Sequence, residues 1–188
     1  THKSPVSFRN VHAAPMSSFG SLSKWLAVQL DRYIYKHRHM LVDSCDLISK
    51  LHDVSVYPDT KLVTVDVEHF FMTSEALELS NACSSLIDDN SQLRHLVRDV
   101  CFFLLDNQFV EPSTQKNKHT HIAKVIKGSG MGLHHSAAVA EAAFLHLVES
   151  SMCKQQVMCN HNIDGYFRFK DDILMISHGD PSSRVDFF

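Results

Sequence analysis

Three carboxylates stand where apolar runs of the chain end. Asp66 closes the run Leu62-Val63-Thr64-Val65, and Asp171-Asp172 separates the apolar residues 166–169 from 173–176. An ionised carboxylate beside buried chain is costly unless something compensates it. A divalent cation compensates it. Hard cations such as Mg2+ take oxygen ligands, and one or two carboxylates plus substrate phosphates suffice. Two such ions clamp the attacking and leaving oxygens of a phosphoryl transfer. Between the acidic positions lie Gly128, Gly130 and Gly132, where missing side chains let the backbone approach a partner closely. Each feature alone reads as a polar turn or a strand end. Their joint occurrence, in this order, reads as a site.

The elements that must position these residues follow from periodicity. Leu22, Trp25, Leu26, Leu30, Tyr33 and Ile34 predict a helix over 21–40, capped by Ser21 or Ser23. A shorter helix is expected over 44–53, ahead of the turn residues Tyr57-Pro58-Asp59-Thr60. Residues 62–67, rich in Val and Thr, suit a buried strand. Helical spacing returns over 74–88 and again over 92–106, where Leu93, Leu96, Val97, Val100, Cys101, Leu104 and Leu105 share a face. Residues 112–120 read as a loop and 121–127 as a strand. The Ala-rich stretch 134–151 is apolar nearly all round, so it predicts a buried helix. The two runs around Asp171-Asp172 read as a β-hairpin. This order implies an α+β sheet with helices packed on one face.

Composition narrows the function. Hydrophobic residues make up 44% of 188, enough for one buried core rather than a disordered chain. No stretch of 18 apolar residues is present to span a membrane. Five cysteines, none spaced C-x-x-C, predict free thiols and an intracellular location without disulfides. The net charge of -3 runs against a nucleic-acid-binding domain, which usually carries a basic surplus. His119, His121, His134, His135, Cys153, Cys159 and His161 match no common structural zinc spacing.

Read in order, the chemical segments resemble the palm motifs of reverse transcriptases. Val65-Asp66-Val67-Glu68-His69-Phe70-Phe71 looks like motif A, an Asp followed five positions later by an aromatic. The segment Gly128-Ser129-Gly130-Met131-Gly132-Leu133-His134-His135-Ser136-Ala137 is similar to motif B, commonly G-x-x-[QM]-G-x-x-x-S-P. Tyr166-Phe167-Arg168-Phe169-Lys170-Asp171-Asp172-Ile173 looks like motif C, [YF]-x-D-D. His2-Lys3-Ser4-Pro5 with Arg9 resembles the fingers segment before motif A. That segment and Met131 point most to Penelope-like retroelements, relatives of telomerase.

The resemblance implies a right-hand polymerase palm over 61–188 and a fingers-related segment over 1–60. It implies an RNA-directed DNA polymerase of nuclear location that uses two Mg2+ ions, or Mn2+, with an RNA template, a DNA primer and deoxynucleoside triphosphates. Asp66 and Asp171 would bind the ions, with the Val67 carbonyl as an extra ligand and Asp172 supporting the site. Phe71 would be a steric gate against a 2′-hydroxyl. Gly128, Met131 and Gly132 would line the nucleotide site, and Arg9 would pair with the triphosphate. Ser136 and Phe169 would contact template or primer.

Two positions depart from the pattern. Ala137 replaces the usual Pro, and Lys170 stands beside the two carboxylates, where it could compete with metal. Strand alternation would instead place Lys170 on the face opposite Asp171. The chain starts at Thr1 and stops soon after motif C, which leads to the expectation of a partial domain without a thumb. Two alternatives follow: a non-catalytic remnant that binds RNA or a partner, and a telomerase-type catalytic subunit.

Overall fold

The structure is a computed structural model that describes residues 18–71, 74–110 and 122–179. Arg9, the segment from His2 to Pro5, the loop over 112–120, His119 and His121 lie outside these residues. Helices α1 (Gly20–Ile34) and α2 (Ser44–Leu51) lead into strand β1 (Lys61–Asp66). Helices α3 (Ala76–Ser85) and α4 (Ser91–Asp106) follow, then a short ribbon of β2 (Phe109–Val110) and β3 (Ala123–Lys124). Helix α5 (Ser136–Phe144) runs through a π-helical turn (Leu145–Glu149) into α6 (Ser150–Met152). Helix α7 (Gln155–Asn160) precedes the hairpin of β4 (Ile163–Phe169) and β5 (Asp172–Ser177). The main sheet is antiparallel in the order β1-β5-β4.

Two apolar layers hold the elements. Helices α1, α3, α4 and α5 share a core that includes Leu26, Leu30, Ile34, Leu79, Ile87, Val97, Cys101 and Val139. One face of the sheet, with Val63, Val65, Tyr166, Ile173 and Met175, packs on Phe144, Met152 and Val157 of the α5–α7 stretch. On the opposite face, Phe167, Leu174 and Ile176 meet Leu47 and Leu51 of α2. That helix is fixed at its start by Asp43, whose side chain accepts the Asp46 N–H at 2.9 Å.

Three elements differ from the sequence expectation. Helix α1 ends at Ile34 because the chain beyond it runs alongside β4: the Arg168 N–H donates to the His39 carbonyl at 2.9 Å and the Leu41 N–H donates to the Arg168 carbonyl at 2.8 Å. Neither Ser21 nor Ser23 caps it; Ser23 is buried against His135 instead. Strand β1 is an edge strand rather than a buried one, with Leu62 70% exposed, since only alternate residues reach the helices. Of the strand expected over 121–127, the described residues pair only at Ala123 and Lys124.

The buried helix carries two carboxylates. Glu149 is 1% exposed and meets Arg168, which is fully buried, through paired 2.8 Å hydrogen bonds from Nε and Nη2. The Tyr166 hydroxyl donates to the same carboxylate at 2.8 Å. Burial alone would raise the Glu149 carboxyl, but the nearby His39 ring, the hydrogen bonds from Arg168 and the guanidinium charge outweigh it and hold it at about 2. Glu141 has no such clamp. Burial pushes it up to about 7, with the nearby Arg168 charge pulling the other way.

Two stability predictions follow from this packing. Leu30→Ala, in the helical core, is expected to cost about 3 kcal/mol in urea denaturation, whereas Leu62→Thr on the exposed edge changes stability by less than about 0.5 kcal/mol. Glu141 binds its proton more tightly in the folded chain than in the unfolded one. Its contribution is therefore present below pH 4.5 and lost as pH rises toward about 7. Glu141→Gln should lack this slope, so the stability difference between the two proteins, followed by denaturation against pH, shifts in favour of the variant across that window.

Candidate active site

The strand register gathers the acidic residues at one end of the sheet. Asp66, the last residue of β1, lies directly opposite Asp172, the first residue of β5. Directly opposed residues of an antiparallel pair share a face, with Cβ atoms roughly 4.5–5.5 Å apart, and like charges there repel. Phe169 pairs with Asp172 from the other side, so it joins that face. Asp171 sits in the two-residue turn, and its carbonyl accepts the Val67 N–H at 2.9 Å. The sequence reading set Asp66 beside Asp171; the register makes Asp172 its direct partner and links Asp171 to Val67 through the backbone.

Asp66 and Asp172 are exposed and Asp171 is half-buried. The three carboxylates do not converge within 4.8 Å as a trio. A pair of ions about 3.5–4 Å apart draws on ligands spread more widely than one ion does. The donor set is all oxygen and open to solvent, which fits Mg2+ or Mn2+, cations that keep several waters. Lys170 forms no ion pair with either aspartate among the described residues; its Nζ lies 5.2 Å from the centre of the Phe169 ring.

The turn itself is held from two sides. Lys170 has φ 56°, a left-handed conformation that a residue with a side chain adopts at a cost. Its carbonyl accepts Nη1 of Arg168 at 2.9 Å. The buried arginine therefore joins the helix layer, through Glu149, to the tip that carries Asp171. A charged residue inside the apolar run 166–169 was the sequence signal for it, since a buried charge must have a partner.

The glycine segment is stitched to the loop after Asp66. The Ser129 N–H donates to the Phe71 carbonyl at 2.8 Å and the Gly128 N–H donates to that of Ser74 at 2.9 Å. Gly128, Gly130 and Gly132 have φ of 83°, 63° and 93°, so this loop needs residues without a Cβ. Phe71 is half-buried, edge-on to Phe70, and lines a cavity of about 280 Å³ with Val67, Glu68 and Ser129. Met131 is half-buried and Gly132 exposed. Ser136, expected at a template or primer contact, is buried. Its hydroxyl donates to the Ser129 carbonyl at 2.8 Å, and the Ser129 hydroxyl returns a bond to the Ser136 carbonyl at 3.1 Å. Phe169 is 38% exposed at the hairpin end.

A different trio does converge. His39, Glu149 and Cys153 offer ligand atoms within 4.8 Å of one another. A metal there is disfavoured, because Glu149 already accepts two bonds from Arg168 and one from Tyr166, with His39 Nε2 at 3.4 Å. Burial and the Glu149 charge also push the Cys153 thiol up to about 12, and the thiolate is the ligand form. Glu149 is instead committed to hydrogen bonds from Arg168 and Tyr166.

All five cysteines are free. No described helix is long and apolar enough to cross a membrane.

No family model and no curated protein matches this chain. Among solved structures it is similar to a telomerase from Candida tropicalis truncated of its C-terminal domain, with a TM-score of 0.63 at 11% identity. The match covers 93% of this chain and 37% of the telomerase chain, so this chain spans little more than a third of that protein's length. The small antiparallel sheet with its packed helices is thus an α+β fold similar to that of the telomerase.

Proposed function

We propose that this chain is the palm and adjoining fingers segment of an RNA-directed DNA polymerase, with residues 61–188 as palm and 1–60 as fingers-related. The observation that carries the reading is the direct opposition of Asp66 and Asp172 beside the Asp171 turn. Two like charges placed face to face on an exposed strand end are unfavourable by themselves. Bound divalent cations would offset that cost. Asp66, Asp171 and Asp172 would hold two Mg2+ or Mn2+ ions, with the Val67 carbonyl at the same end. When bound, the ions supply charge neutralisation on the transferring phosphoryl group and on the attacking and leaving oxygens.

The chain's own residues do the positioning. The backbone bonds from Ser129 and Gly128 fix the loop that carries Phe71 against the glycine segment. Phe71 would lie under the sugar of a deoxynucleoside triphosphate and exclude a 2′-hydroxyl. Gly128, Met131 and Gly132 would approach the nascent base pair, and Phe169 the primer. Arg9 would meet the triphosphate. The primer 3′-hydroxyl attacks the α-phosphate, the new phosphodiester forms, and pyrophosphate leaves. An RNA template, a nuclear location and an origin in a Penelope-like retroelement belong to the same reading, which rests there on the motif resemblance. The telomerase likeness supports a telomerase-type catalytic subunit equally at the level of the fold.

A second reading is a remnant that binds RNA or a protein without catalysis. The observation that favours it is that the three carboxylates do not converge as a trio. Binding of a deoxynucleoside triphosphate separates the two: the polymerase reading requires Mg2+- or Mn2+-dependent affinity, and a remnant shows none.

For the complete protein, Asp66→Ala and Asp171→Ala should each lower primer extension on an RNA template by roughly 100-fold or more. Undiminished extension by either variant ends the polymerase assignment. Phe71→Ala should raise ribonucleotide incorporation relative to deoxynucleotide incorporation in the same assay, with the deoxynucleotide rate reduced far less than in the aspartate variants.

A further inference from the structure

We infer that Arg168 is a positioning residue for the metal ligands, acting as a strut between the buried helix and the tip of the catalytic hairpin. The inference rests on the functional reading above and adds a role for a residue outside the carboxylate set. Arg168 is fully buried on the helix-facing side of β4, one residue before Phe169. Its Nε and Nη2 grip the two oxygens of Glu149 at 2.8 Å each, and its Nη1 is left to reach the Lys170 carbonyl at 2.9 Å. Its planar fork carries donors on separate nitrogens and edges, so one side chain reaches both partners, whereas an ammonium's three donors share a single nitrogen.

The surroundings make the strut rigid. The Arg168 backbone is held on one side by β5, where it pairs with Ile173, and on the other by the His39 carbonyl and the Leu41 N–H. Nη2 also reaches the Glu141 carbonyl at 3.3 Å. At the far end, Lys170 has φ 56°, so the turn relies on outside bonds to keep a conformation its side chain disfavours. Its two carbonyls have separate donors: Arg168 for Lys170, and the Val67 N–H for Asp171. Those two bonds fix the tip relative to both the helix layer and Asp66. A merely structural role for the ion pair would need Glu149 alone. The bond to the Lys170 carbonyl is what ties it to the site.

The test uses the 188-residue chain with Mn2+ as the probe, its binding followed by loss of the free-ion electron paramagnetic resonance signal. Thermal unfolding is measured on the same samples. Arg168→Lys keeps the charge but cannot serve Glu149 and Lys170 together, so Mn2+ affinity should fall by roughly 10-fold. The double variant Arg168→Met with Glu149→Leu removes both charges and leaves the local net charge unchanged. It should unfold near the wild-type temperature, because apolar pairs replace buried ion pairs well, while Mn2+ affinity stays as low as in Arg168→Lys. Wild-type Mn2+ affinity in either folded variant, alongside clear loss in Asp171→Asn, overturns the strut and leaves the polymerase reading standing. Wild-type affinity in Asp171→Asn overturns that reading itself, whatever the Arg168 variants do.

Discussion

The buried pair between Arg168 and Glu149 is the interaction on which the rest of the arrangement depends. It joins three parts of the chain that are distant in sequence: the hairpin, the helix that follows the glycine segment, and the His39–Met40 stretch after α1. Taking two charges out of water costs several kcal/mol per ion, and only good geometry with further hydrogen bonds offsets it. Those further bonds are present, from Tyr166 to the carboxylate and from the guanidinium to the Lys170 and Glu141 carbonyls. Removing one partner would leave an uncompensated buried charge, a loss of about 3–5 kcal/mol. An apolar pair could fill the same volume, but it could not hold a carbonyl of the turn.

From that pair outward, backbone bonds join the segments of the candidate site to one another. Val67 ties the first acidic segment to the turn of the hairpin, and Ser129 and Gly128 tie the glycine segment to the loop beyond Phe71. Ser23 and His135 add a side-chain bond at 2.8 Å between α1 and the start of α5. Backbone bonds tolerate wide variation in side-chain identity. This is consistent with a fold similar to that of a telomerase at 11% identity.

Much of the fold was legible because burial leaves a periodic signature. The stripe Val97, Cys101, Leu104 and Leu105 is buried on α4 as its spacing requires, although Leu96 is half exposed at the margin. The Ala-rich helix is buried on nearly every side from Ser136 to Ala143, as its composition demands. The short α7 left no signal, because six residues hold no full amphipathic repeat. Strand β1 misled for a related reason: its apolar run Leu62-Val63 matches a buried strand in composition, but a run of this length cannot reveal a free edge. The template or primer contact of Ser136 was expected from motif position alone, and its hydroxyl is committed inside the protein to Ser129.

By itself, the sequence determined the α+β class, the hairpin around Asp171-Asp172 and the position of Asp66 at a strand end. Those properties are local, fixed by alternation, periodicity and turn chemistry within a few residues. Only the tertiary structure decided that Asp172 rather than Asp171 stands directly across from Asp66, because register is set between strands more than a hundred residues apart. It also decided that Arg168 turns inward to Glu149 and that Lys170 lies over Phe169 instead of pairing with the aspartates. A charge in an apolar run announces that it needs a partner. Which partner it finds depends on what the fold brings within hydrogen-bond reach.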